Sequence, residues 1–304
     1  MQWNGLGTSP CNLCPRECMA DRKEETGYCL MDDRITVARA ALHMWEEPCL
    51  SGRSGSGTVF FSGCNLRCVY CQNYEIAAGR RGKQVSVKRL AEIFLELQAK
   101  GASNINLVTP DHYVTGVAEA VLLAKEMGLG LPVVYNGSGY EKRAVIRNLS
   151  GIVDIFLTDF KYMDPGLAEK YSLAPDYPVI AGAALDEMVR TVGKSVFDED
   201  GMMQRGVIVR HLLLPGLKQN ARAVIRYVHE TYGDGVYLSL MNQYTPFERL
   251  RENPDYAGIC RKVTGREYET VVDYAIRLGV RNAFIQEGDT AEESFIPPFD
   301  GEGV

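Results

Sequence analysis

The sequence predicts an α/β protein, a parallel sheet wound into a complete or partial barrel with a small cysteine-rich segment ahead of it. Three observations carry this expectation. From residue 58 onward, short apolar runs alternate with amphipathic stretches of helical period, which is the pattern of βαβ units around a parallel sheet. The alternation continues for about 230 residues, a length that suits one α/β barrel better than two domains. Eight of the nine cysteines fall before the alternation is properly under way, at 11, 14, 18, 29, 49, 64, 68 and 71.

In chain order, residues 1–57 read as a cysteine-rich metal-binding segment and linker. It holds one extended run at 35–42 and closes with a glycine- and serine-rich loop at 51–57, flexible by composition. Residues 58–304 read as the barrel and a C-terminal tail. Its strands are expected at 58–63, 104–109, 131–136, 154–160, 206–214, 236–244 and 282–287. Ser86 is placed to cap a helix whose Leu90, Ile93, Phe94 and Leu97 share one face, with Gly101 just past its end. Val224, Ile225, Val228 and Tyr232 repeat that spacing. Thr264 and Glu267 form a capping box ahead of Val271, Val272 and Ile276.

Composition removes several function classes. With 46% hydrophobic and 24% charged residues among 304, the chain is not a disordered one. A formal charge of −6, from 33 basic and 39 acidic residues, argues against binding nucleic acid through its phosphates. The basic cluster at Arg80, Arg81, Lys83, Lys88 and Arg89 has no interleaved aromatics and reads as a solvated face. No apolar run approaches a membrane span, and the first residues show no signal peptide. The expected compartment is the cytoplasm, where clustered thiols stay reduced and more often hold metal than form disulfides.

Cys64-Asn-Leu-Arg-Cys68-Val-Tyr-Cys71 follows the first barrel strand directly. Three thiolates on one tight loop can hold three corners of a cubane iron–sulfur cluster, leaving one iron open to a small chelating ligand. A three-cysteine zinc site is the alternative, though this is not the common zinc spacing. The stretch Thr58-Val-Phe-Phe-Ser-Gly-Cys-Asn-Leu-Arg-Cys-Val-Tyr-Cys-Gln-Asn73 resembles the signature of the radical S-adenosylmethionine (SAM) superfamily, nearest to the pyruvate formate-lyase activating enzymes. The resemblance covers about residues 58–287. It implies a partial (β/α)6 barrel, a [4Fe-4S] cluster on Cys64, Cys68 and Cys71, and SAM chelating the unique iron. One-electron reduction, from a donor such as flavodoxin or ferredoxin, then yields a 5′-deoxyadenosyl radical that abstracts hydrogen, with a glycyl-radical protein as a candidate partner. Tyr70 takes the aromatic position expected near the adenine, and Asn73 matches a cofactor-contacting asparagine.

The resemblance continues with departures. Where the activating enzymes carry Gly-Gly-Glu-Pro, this chain has Thr109, Asp111 and His112, whose side chains could supply equivalent polar contacts. Asn136 and Ser138 sit in a turn like the family's Thr-Asn-Gly, and are candidate cofactor contacts or an ordinary turn. Asp159 and Lys161 alternate along an apolar strand, so both project from one face and need a partner or a ligand there; the family has the same Asp-x-Lys beside the cofactor carboxylate. Arg210 and Gln243 follow the same logic, with glutamine standing where the relatives have histidine. Cys11, Cys14, Cys18 and Cys29 form a second constellation, suited to an auxiliary iron–sulfur cluster or zinc. Cys49, between the two sites, reads as a free thiol with a fifth ligand as the alternative, and Cys260 as a structural cysteine. A non-enzymatic metal-binding module and an enzyme modifying RNA, a peptide or a small molecule are the competing readings.

Overall fold

Seven parallel strands form the frame of the computed structural model, which describes residues 3, 5–286 and 297–304. Regular structure begins with β1 (Thr36–His43), the four-residue helix α1 (Pro48–Ser51), β2 (Ser56–Phe61), the short α2 (Tyr74–Ala77) and β3 (Lys83–Gln84). Next come α3 (Val87–Ala99), β4 (Ile105–Val108), α4 (Val114–Glu126), β5 (Val133–Gly137), α5 (Arg143–Asn148) and β6 (Ile155–Asp159). Helices α6 (Pro165–Ser172) and α7 (Tyr177–Val192) lead into β7 (Val196–Phe197) and β8 (Met203–Leu212). The series closes with α8 (Lys218–Tyr232), β9 (Tyr237–Met241), α9 (Gly265–Leu278) and β10 (Ala283–Ile285).

Strands β2, β4, β5, β6, β8, β9 and β10 are parallel neighbours in that order. No pairing among the described residues joins β10 to the other edge. Six strand–helix units and a closing strand thus make a partial (β/α)6 barrel, the form the resemblance implies where the alternation alone left a complete or a partial barrel open; Glu287, the last residue of the seventh expected strand, lies outside the described residues. The strands are buried on both faces, which is why they read as continuous apolar runs rather than alternating ones. Two devices read from the sequence are present. Ser86 accepts a hydrogen bond from the Arg89 amide, and Thr264 with Glu267 makes the capping box of α9. No helix among the described residues is long and apolar enough to cross a membrane.

The segment before residue 58 donates structure to this frame. β1 pairs antiparallel with β2, and β3 with β1. The glycine- and serine-rich stretch is not the flexible loop its composition suggests. Ser56 and Gly57 lie in β2, and a Cβ on Gly57 would stand 2.7 Å from the Asn104 carbonyl oxygen. Glycine there serves close strand approach. Between them, α1 enters the barrel interior. Its Cys49 and Leu50 pack against Val134, Ile155, Leu157 and Ile208, on the sheet face opposite the helices. The Asn104 amide holds the Leu50 carbonyl at 2.8 Å. This plug sets the floor beneath the site.

Candidate active site

The loop after β2 brings the triad to the carboxyl ends of the strands. Gly63, at φ +90°, leaves room for the N-terminal segment: a Cβ there would lie 2.3 Å from Met31 Cγ and 2.9 Å from the Cys29 carbonyl oxygen. The Cys64 amide donates to that same carbonyl at 3.3 Å, so the two cysteine groups abut. Cys68 and Cys71 line a cavity of about 610 Å³. Burial, with Cys68 and Cys71 alongside, pushes the Cys64 thiol far above its ordinary range, and burial with Cys68 raises Cys71 to about 12. Behind Cys68 runs a hydroxyl chain. Ser172 Oγ donates to Cys68 Sγ at 3.0 Å, Tyr162 bonds Ser172 at 2.8 Å, and Tyr70 bonds Tyr162 at 2.7 Å.

Charged groups enter the cavity from the end of β6, from β8 and from the turn before α1. Asp159, at the end of β6, meets Lys161 Nζ at 2.5 Å and Arg210 Nε at 3.1 Å. Burial alone would raise the Asp159 carboxyl, but the two cations outweigh it and hold it below the ordinary range. Burial pulls Lys161 and Arg210 down, and their carboxylate partners outweigh it, so both remain charged. Arg210 also reaches Asn136 Oδ1 at 2.5 Å and Glu46 at 3.2 Å. Glu46 in turn accepts from Asn106 at 3.0 Å and Asn136 at 3.5 Å. Glu46 and Glu47 descend from the turn before α1 and line the same cavity.

Residues 58–176, which contain the triad and part of the cavity wall, match the Radical SAM superfamily. Over those residues the chain is similar to radical SAM proteins. That superfamily's chemistry implies a [4Fe-4S] cluster and SAM as cofactors. Two proteins of Methanocaldococcus jannaschii are similar over most of the chain. The uncharacterized protein MJ0674 is 28% identical over 87% of this chain and 74% of its own length. The uncharacterized protein MJ0808 is 22% identical over 94% and 84%. Among solved structures, HydG, a maturase of the [FeFe]-hydrogenase, aligns with a TM-score of 0.51 and 14% identity over 79% of this chain. The chain spans 53% of HydG, and at that identity the likeness is one of fold.

Around the cysteine triad, the cavity gathers Cys68, Tyr70, Cys71, Asn73, Asn136, Asp159, Lys161, Arg210 and Gln243. Cys64, Thr109, His112 and Ser138 stand behind that wall. Thr109 caps β4 at φ +57°, its amide donating to the Asn136 carbonyl at 2.9 Å. His112 is buried, with Nε2 donating to the Ser62 carbonyl at 2.7 Å, and burial depresses its pKa to about 3. Ser138 gives its amide to Glu141 and its carbonyl to Tyr177. Asp111 Oδ2 and Glu141 Oε2 are buried with no hydrogen-bond donor, and they face each other, so one shared proton satisfies both. Sequence reasoning missed Glu46 and Glu47. Their signal was an acidic pair between Trp45 and the apolar run starting at Pro48.

The donor set fits the implied cluster. Cys64 and Cys71 carry neutral thiols until a metal ionises them, and soft sulfur donors suit iron–sulfur chemistry. Among the described residues, no three His, Cys, Asp or Glu side chains converge within reach of a single metal ion; a cubane asks for one thiolate per iron at separate corners. In the N-terminal group Cys11, Cys14 and Cys29 are buried and Cys18 is exposed. The fully buried Arg22 places a guanidinium nitrogen 3.9 Å from Cys11 Sγ and 2.5 Å from the His112 carbonyl.

Proposed function

We propose that this radical SAM protein holds its [4Fe-4S] cluster on Cys64, Cys68 and Cys71, binds SAM beside it, and abstracts hydrogen from a substrate, foremost a glycyl-radical protein. The observation that carries the reading is a three-cysteine loop at the carboxyl end of the first parallel strand, opening on a cavity with two part-buried cations. Cys64, Cys68 and Cys71 would hold the cluster, which when bound would supply one-electron reduction for the cleavage of SAM.

The chain's own residues bind and orient. Lys161 and Arg210 stay protonated and offer donors to the cofactor carboxylate, with Asp159 fixing both in place. Asn73, Asn136 and Gln243 face the cavity as further polar contacts, and Tyr70 offers its ring to the adenine. Thr109, His112 and Ser138 act through the backbone turns they hold rather than through direct contact. The electron donor is a protein such as flavodoxin or ferredoxin, and the setting a reducing cytoplasm.

Cys11, Cys14, Cys18 and Cys29 are read as a second centre, an auxiliary iron–sulfur cluster in preference to zinc. A four-thiolate centre has net negative charge, and the Arg22 guanidinium against Cys11 is placed to offset it. To test the substrate, the reconstituted enzyme is incubated with SAM, reductant and candidate glycyl-radical proteins. The reading predicts an EPR doublet on the partner. Cofactor cleavage without any doublet would move the substrate to a small molecule or peptide.

A further inference from the structure

Residues 297–304 lie along the outer edge of β1. On that edge β3 covers only Thr36 and Val37, and the next backbone groups are met by the tail. The Gly301 amide donates to the Ala38 carbonyl at 3.1 Å, and the Ala40 amide donates to the Glu302 carbonyl at 2.9 Å. Gly303, at φ +75°, passes so close that a Cβ would collide with the Ala40 carbonyl oxygen. Between these bonds stands Arg39. Its guanidinium donates to the Pro298 carbonyl at 2.9 Å, pairs with Asp300 at 2.9 Å and also pairs with Glu302. Among the described residues, its hydrogen bonds and ion pairs all go to the tail.

The tail also reaches the cavity. The Phe299 ring meets Phe60 edge-on, with centroids 5.5 Å apart, and packs against Ala38, Ile76 and Val108. Phe60 and Val108 line the cavity, and so does Pro297, two residues before the aromatic anchor. A chain lying in this strip is thus led to the cavity wall. What holds the tail there is exchangeable. The Asp300 and Glu302 side chains are 57% and 53% exposed, so salt screens their ion pairs and each contributes little. Edge hydrogen bonds and one aromatic anchor remain, and an extended polypeptide with one such side chain offers both.

We propose that the β1 edge is a docking strip for a polypeptide substrate, held in cis by residues 297–304 until a substrate strand displaces them. The occupant in cis defines the chemistry of the one in trans. It is an extended segment with an aromatic side chain for the hollow at Phe60 and Val108, and with acids one and three positions later for Arg39. The inference rests on the hydrogen-abstraction reading only for what the docked chain undergoes.

The test titrates the full-length chain with a fluorescein-labelled peptide of the tail's own sequence, Pro-Pro-Phe-Asp-Gly-Glu-Gly-Val, and reads binding by polarisation. A tethered strand acts at high effective concentration, so the peptide binds wild type weakly. Phe299→Ala loosens the tail and binds the peptide about tenfold more tightly. Replacing the peptide's phenylalanine by alanine, or both its acids by their amides, weakens binding to Phe299→Ala about tenfold. Hydrogen exchange followed by NMR on the same variant locates the peptide. In the complex the Ala40 amide stays protected, while the Gly301 amide of the displaced tail exchanges freely. The proposal is overturned if the peptide binds neither chain, if wild type and Phe299→Ala bind it equally, if the altered peptides bind as well as the parent, or if Gly301 keeps its protection in the complex. Binding is measured without cluster or SAM, so it is separate from the reaction: a chain that cleaves SAM but fails these tests loses the docking strip and keeps its chemistry.

Discussion

Ser172 sits outside the triad yet donates directly to Cys68 Sγ, backed by Tyr162 and then Tyr70. Hydrogen bonds to cluster sulfurs are among the levers that set reduction potential, because they stabilise the more negative reduced state. Ser172→Ala removes the bond while leaving every cysteine in place. An EPR-monitored redox titration then shows a potential lowered by on the order of tens of millivolts. An unchanged potential with an intact cluster would show that the hydroxyl chain serves packing alone. The residue scale also separates contact from support. Asp159, Lys161 and Arg210 face the cavity, whereas His112 and Asp111, read from the sequence at the same strand-end level, turn into the protein behind it.

At the scale of elements, the capping box of α9 joins two parts of the barrel wall. Glu267 accepts from the Thr264 amide at 3.0 Å and the Gly216 amide at 2.9 Å, and pairs with Arg261 at 2.7 Å. Thr264→Ala removes only the side-chain half of the cap, costing about 1 kcal/mol, and lowers the melting temperature by roughly 2 °C in a circular-dichroism melt. All seven parallel strands were legible because strands covered on both faces must be apolar throughout, and the helices because their buried faces repeat at i, i+3, i+4 and i+7. The plug was not legible. Four residues of helix leave no periodicity, and Glu46 and Glu47 look like surface acids until the fold carries them under Arg210. Nor did the extended run at 35–42 announce its antiparallel place beside β2, since pairing is decided by partners distant in sequence.

Taken whole, the molecule sets two cysteine groups against each other at the mouth of a partial barrel whose interior is closed from below by a segment that precedes the triad. Cys64 and Cys29 share a backbone hydrogen bond, and Arg22 ties the N-terminal group to the loop after β4. This arrangement couples the N-terminal cysteine segment to the site mechanically, whatever chemistry each part performs. The central claim is that the triad holds a redox cluster that cleaves SAM. The direct measurement is anaerobic reconstitution with iron and sulfide, followed by assay of SAM cleavage under dithionite, on wild type and on Cys71→Ala. The account predicts broad absorbance at about 400 nm and release of 5′-deoxyadenosine from wild type, with cleavage lost in the variant. A wild-type chain that takes up no such cluster, or takes it up and leaves SAM intact, would contradict it.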